Sequence, residues 1–194
     1  MFEEMIIDRI NKNIEIKENI LMDNDLIKKI DLTSQTIIKA YKSSRKVILF
    51  GNGGSAADAQ HLAAELVNKF YLERRSLPAV ALTVNTSILT AIGNDYSFSQ
   101  IFSKQIEGIG IEGDIAIGIS TSGNSKNVVE GLRLAKGNNI FTIGFTGKSG
   151  GEIIDIVDIC VNIPSDDTPR IQEAHILIGH IICEIVEREI FAKR

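Results

Sequence analysis

His61 and Glu65 stand four residues apart in a stretch of small and apolar residues. On a helix that spacing turns through about 40°, so both side chains leave one face. An imidazole and a carboxylate so placed can hold a metal ion or pass a proton. An ordinary surface pair has the same spacing. Gln172 and His180 are a second candidate pair. Eight residues turn a helix by about 80°, so the two meet only at a point beside the helix. His175 is displaced from His180 by about 140° and is expected to miss that point. From spacing alone, each of the three is an ordinary helix residue.

Two loops have the composition of anion or sugar cradles. Gly51-Asn52-Gly53-Gly54-Ser55-Ala56 formally matches the dinucleotide fingerprint. No acid stands at the end of the next expected strand, Val84-Asn85, to hold a ribose hydroxyl, so that reading is rejected. The plainer role is a glycine-rich turn whose N–H groups approach a ligand at a helix start. A tight turn without a ligand would look the same. Ser120-Thr121-Ser122-Gly123-Asn124-Ser125 crowds hydroxyls and free N–H groups before a helix, a neutral phosphate cradle. A simple N-cap needs only one hydroxyl, and the surplus points to phosphate. No Walker lysine is present, which argues against a nucleoside triphosphatase. Gly93-Asn94-Asp95 reads as a turn after a helix.

These residues need elements to carry them. Residues 1–45 read as helix, with Ile6, Ile10, Ile14 and then Leu26, Ile30, Ile37 at roughly helical spacing. Asp23-Asn24-Asp25 is the expected break and N-cap. Their apolar stripes need a partner, either this chain's sheet or another subunit. Lys46–Phe50 is a buried strand, and the helix after the first loop runs from about Ala56 to Lys69. Further strands are expected at Ala79–Val84, Asp114–Ile119, Ile140–Phe145 and Asp158–Ile163. Helices are expected at Thr86–Gly93, Phe98–Ile109, Asn124–Lys136 and, briefly, Gly151–Ile156. A last helix runs from about Pro169 to Lys193, with Pro169 in its first turn. Short buried strands alternating with helices mean parallel βαβ units in an α/β fold. Ligands of such folds bind at the carboxyl ends of the strands, where both loops fall.

The chain has 194 residues and suits one domain with helical additions. It is 44% hydrophobic and 24% charged, enough for a core and a charged surface. A net charge of −4 without a basic run leaves no footprint for nucleic acid, so an anionic ligand must be held locally. Cys160 and Cys183 lie far apart in apolar segments and read as buried thiols of a reducing compartment. The opening MFEEMIIDRI has acids where a signal peptide needs bases. No apolar run reaches the roughly 18 residues of a membrane span. The expectation is a cytoplasmic chain with no membrane contact.

Taken together, GNGGSAADAQH (51–61), AAEL (63–66), GND (93–95), EGDIAIGISTSGNS (112–125), TGKSGG (146–151), RIQEAH (170–175) and His180 closely resemble the phosphoheptose isomerase family of the sugar isomerase (SIS) fold. The resemblance covers nearly the whole chain. It implies a single SIS domain over residues 1–194, a three-layer sandwich on a five-stranded parallel sheet, with residues 1–45 as oligomerisation helices and 46–194 as the core. It implies a homotetramer with active sites near subunit interfaces. It implies one zinc ion per subunit, held by His61, Glu65, Gln172 and His180. Sugar-phosphate contacts carry over to Asn52, Gly53, Gly54, Asn94, Asp95, Ser120, Thr121, Ser122 and Ser125, and Glu65 and Gln172 also face the substrate. Ser55 joins them by its place in the loop. The implied reaction interconverts sedoheptulose 7-phosphate and an aldose heptose 7-phosphate, with Glu65 as base, His180 as acid and zinc as Lewis acid. The product would enter nucleotide-heptose synthesis for lipopolysaccharide core or capsule.

Two positions depart from the family pattern. Lys69 stands where some members carry a Gly-Arg, and Pro169 where some carry an acid. A non-catalytic branch of the same fold, a tetramer that binds the replication initiator, is similar in the loops but lacks the catalytic Glu and last-helix His. Glu65 and His180 favour the enzyme. A sugar-phosphate-sensing module would be expected beside a DNA-binding domain.

Overall fold

The computed structural model describes residues 1–192. Five parallel strands form one sheet: β1 (Val47–Gly51), β2 (Ala79–Ala81), β3 (Ile115–Ser120), β4 (Phe141–Thr146) and β5 (Ile159–Asn162). Their spatial order is β2-β1-β3-β4-β5. In β1 the side chains alternate between faces. Val47 and Leu49 join one core with α1 (Glu3–Met22), α2 (Asn24–Lys42), α3 (Gly54–Val67) and α7 (Thr168–Phe191). Ile48 and Phe50 join the other core, with α5 (Ser103–Ile109), α6 (Lys126–Gly137) and the partly buried face of α4 (Thr86–Asp95). The result is the three-layer α/β arrangement expected. Lys193 and Arg194 lie outside the described residues, so the expected helix end at Lys193 does too.

The boundaries differ where tertiary contacts intervene. α3 begins at Gly54, earlier than expected, and stops at Val67, where the last-turn carbonyls of Glu65 and Leu66 accept from the Arg74 guanidinium. β2 ends at Ala81 rather than Val84, and Thr83 turns toward α3, where its hydroxyl bonds the Ala56 carbonyl at 3.4 Å. The helix expected over 98–109 is a 3₁₀ turn at Phe98–Gln100 followed by α5, with Ile101 and Phe102 drawn into the core between them. Residues 151–155 are likewise a 3₁₀ turn. Gly93, Asn94 and Asp95 are the last turn of α4, not a separate loop. Asp23 caps α2 as expected, accepting from the N–H groups of Asp25 (3.0 Å) and Leu26 (2.9 Å).

The strand order places the topological switch point between β1 and β3, where connections leave toward opposite faces. The two candidate loops follow those two strands, so the fold brings them together at the carboxyl end of the sheet.

Candidate functional site

The two loops are joined by a pair of amides. Asn52 donates to the Asn127 side-chain oxygen at 2.8 Å, and Asn127 donates back at 2.9 Å. Asn127 is buried in the first turn of α6. The exchange uses one N–H and one lone pair of each amide, so Asn52 keeps a second N–H, besides its backbone, for a ligand. Asn127 escaped the sequence reading because nothing local marks an asparagine in a helix start as a partner for a loop 75 residues away.

In the second loop, Ser120 donates to Ser125 at 2.9 Å, and the Ser122 hydroxyl accepts from the Asn124 N–H at 3.2 Å. Ser125 occupies the N-cap of α6, yet its side chain makes no capping bond. The simple cap reading therefore does not account for these hydroxyls. Gly53 is the N-cap of α3 and has no side chain to cap with. Each loop thus presents a helix start whose N–H groups no capping side chain occupies, the geometry that suits an anion. Ser55 is buried beneath its loop, and its N–H bonds the Asn52 carbonyl at 3.0 Å. Thr121 is half-buried and Ser122 exposed. Asn94 donates to Asp95 at 2.8 Å, both exposed, and neither bonds to the β1 or β3 loop.

His61 and Glu65 share a face of α3, with His61 Nε2 and Glu65 Oε1 3.2 Å apart. The helical spacing is therefore expressed. What spacing did not reveal is that α7 packs alongside α3 and sets His180 Nε2 2.9 Å from His61 Nε2. Gly179 makes this approach possible: a Cβ there would lie 2.5 Å from the Leu62 side chain. One ligand atom from each of His61, Glu65 and His180 lies within 4.8 Å of the others. Two imidazoles and a carboxylate at that spacing are an ordinary donor set for a divalent transition metal. Phe70 flanks the cluster, its ring 5.6 Å from that of His180.

Gln172 stands eight residues before His180 on α7. Its amide rests against Gly54, where a built Cβ would meet Nε2 at 2.5 Å. Gly54 precedes His61 by two helical turns on α3. Asp58, one turn before His61, has a carboxyl raised by burial, an effect partly offset by His61. Its Oδ2 is buried without a hydrogen-bond partner in the protein.

His175 is absent from the cluster, as expected. It is buried, and Nε2–H donates to the Thr146 carbonyl at 3.1 Å. Burial pushes its pKa down to about 4, against a smaller opposing effect of that bond. The folded chain therefore refuses a proton that the unfolded chain takes up below the ordinary histidine value. Stability is expected to fall as pH drops from about 6.5 to about 4, by roughly 3 kcal/mol, and then to receive no further loss from this group. Urea unfolding across that range measures it. The same slope in His175→Gln would refute the assignment.

The SIS-domain family profile matches residues 14–147. The phosphoheptose isomerase of Clostridium acetobutylicum is 56% identical over 186 residues, 96% of this chain and 95% of that one. The phosphoheptose isomerase of Aneurinibacillus thermoaerophilus is 49% identical over 191 residues, 98% of this chain and 96% of that one. Among solved structures, the phosphoheptose isomerase of Neisseria gonorrhoeae superposes with a TM-score of 0.91 at 39% identity, covering 96% of this chain and 99% of that one. That of Francisella tularensis superposes with a TM-score of 0.93 at 36% identity, covering 97% and 99%.

Proposed function

The chain belongs to the SIS-domain family and, within it, to the phosphoheptose isomerases, and from that premise we propose that it converts sedoheptulose 7-phosphate to D-glycero-D-manno-heptose 7-phosphate. The observation that carries this reading is the convergence of His61, Glu65 and His180 beside two loops suited to a sugar phosphate.

The phosphate is gripped at the switch point by the Ser120–Ser125 hydroxyls and the free N–H groups of the α6 start. Asn52, Gly53 and Gly54 present backbone N–H groups to the sugar, and Gln172 contacts it from above Gly54. This grip lies away from the reacting carbons and fixes their position. Glu65 takes a proton from C1 of the ketose and returns it to C2. His180 takes the proton of the C1 hydroxyl and gives one to the oxygen at C2, so C1 becomes the aldehyde carbon. Atoms and charge balance within the substrate.

His61, Glu65, Gln172 and His180 are the residues that would hold zinc, one ion per subunit. Zinc there would supply a Lewis acid that polarises the sugar carbonyl. Gln172, whose amide rests against Gly54, is proposed here both as the fourth ligand and as a sugar contact.

Residues 1–194 form one SIS domain in this reading, with 1–45 serving assembly. Ile6, Ile10 and Ile14 of α1 are 56%, 55% and 48% exposed, an apolar face that this chain's own sheet leaves uncovered. That face supports the homotetramer. Exposed Asn94 and Asp95 would then reach a sugar phosphate near a subunit boundary. Among the described residues, no helix is long and apolar enough to cross a membrane. We place the enzyme in the cytoplasm, feeding nucleotide-heptose synthesis for lipopolysaccharide core or capsule.

A proton NMR time course with sedoheptulose 7-phosphate tests the reaction. Aldose heptose 7-phosphate is expected to appear. Metal-free enzyme prepared with a chelator is expected to lose most of its rate and to regain it with added zinc. Full activity in protein shown to be metal-free would remove zinc from the mechanism. A folded chain that converts nothing in either condition would restore the reading as a non-catalytic binder of the replication initiator.

A further inference from the structure

Behind the site lies an ion pair that the mechanism does not use. The side chains of Arg74 and Glu187 are each 1% exposed, with Nε to Oε1 at 2.7 Å. Glu187 also accepts from the N–H groups of Phe70 (2.8 Å), Tyr71 (2.6 Å) and Leu72 (2.9 Å). Arg74 in turn donates to the Glu65 carbonyl at 3.0 Å and to the Leu66 carbonyl at 3.0 Å. These are last-turn carbonyls of α3, which lack partners within a helix. Glu187 lies seven residues beyond His180 on α7, so the two share a face to within about 20°.

The pair thus joins three parts of the site. The guanidinium grips the backbone of Glu65 itself. The carboxylate belongs to the helix that carries His180. The turn it holds carries Phe70, whose ring flanks the His180 imidazole. Burial of two charges repays its desolvation poorly as a source of stability, and a merely stable core would be served as well by apolar residues. What the pair supplies that apolar residues lack is direction: a planar fork meets three carbonyls, those of Glu65, Leu66 and Arg75, and a carboxylate at fixed angles.

We propose that Arg74 and Glu187 form a positioning clasp that sets where Glu65 stands relative to His180. The inference rests on the isomerase reading of the site. Both residues act through others, so they are positioning residues and not catalytic ones. Lysine at position 74 keeps the charge but has no fork, and glutamine at position 187 keeps the shape but loses the charge.

The test uses full-length Arg74→Lys and Glu187→Gln, labelled with ¹⁵N-histidine. The chain has three histidines, so the ring spectrum is simple. His175 bonds β4 instead and serves as an internal control. In folded variants kcat is expected to fall at least about tenfold, with KM changed less than about threefold. The ring signals of His61 and His180 should move while those of His175 stay. Unchanged kcat with unmoved signals overturns the proposal, as does movement of all three histidines, which would mean general loosening. If Arg74→Lys fails to fold, Glu187→Gln decides alone. If neither folds, the pair is a folding element and the positioning role falls. A wild-type chain without isomerase activity would defeat the functional reading separately, because the histidine signals report the clasp without substrate.

Discussion

Glu65→Gln is expected to lower turnover by about two to four orders of magnitude while leaving the fold intact, the range in which a positioned acid or base contributes. The side chain of Glu65 is 26% exposed, so the isosteric amide leaves no buried charge without a partner. Its backbone carbonyl stays in the Arg74 grip, which the change does not touch. Stability should therefore shift by no more than about 1 kcal/mol, as for a half-buried isosteric change. The amide cannot accept the C1 proton, and it is also a poorer metal ligand than a carboxylate. Measuring kcat together with bound metal separates these effects. Lost turnover with metal retained makes Glu65 the base. Lost turnover that excess zinc restores makes its role ligation. Near wild-type turnover without added metal would sink both.

Gly123→Ala should have the second largest effect, on substrate grip and stability together. Gly123 has φ +67°, and a built Cβ would lie 2.0 Å from the Gly150 carbonyl oxygen and 2.4 Å from its carbon. The neighbouring bonds leave little room to yield. Ile153 N–H donates to the Gly123 carbonyl at 3.1 Å, and Glu152 N–H to the Asn124 side chain at 2.9 Å. Left-handed backbone costs a non-glycine residue about 1–2 kcal/mol. Forcing atoms into packed surroundings costs about 1–3 kcal/mol more. A loss of about 2–5 kcal/mol is expected in urea unfolding. The Ser120–Ser125 loop would be pushed from the segment below it, so KM for the sugar phosphate should rise roughly tenfold or more. Gly137→Ala is the control: no atom outside its own helix lies within 4 Å of its Cβ position, and it should be neutral or slightly stabilising. Unchanged KM in Gly123→Ala would show that the loop does not hold the phosphate.

Acid destabilisation should have a second component below that of His175. Backbone N–H groups and the Arg74 guanidinium outweigh burial and hold the Glu187 carboxyl down at about 2. Its contribution is complete above the usual glutamate value of about 4.5 and is lost as pH falls from there toward 2. The two components therefore occupy adjoining windows.

The layers were legible residue by residue, because the physics of periodicity is local. Val47–Phe50 announces a strand buried on both faces, and Gly51–Ala56 and Ser120–Ser125 stand out as loops by glycine and hydroxyl content. His61 and Glu65 had to share a face once their helix was granted. What met across the chain depended on packing between distant segments. His180 comes to His61 over 119 residues because Gly179 admits Leu62, and no helical wheel contains that fact. Asn127 and Asn52, and Arg74 and Glu187, look like unremarkable polar residues in sequence. Each becomes significant only through a partner far along the chain. Gln172 and His180 sit on one helix, yet packing sends one to Gly54 and the other to His61. The sheet order, which no single segment encodes, brought both loops to one switch point.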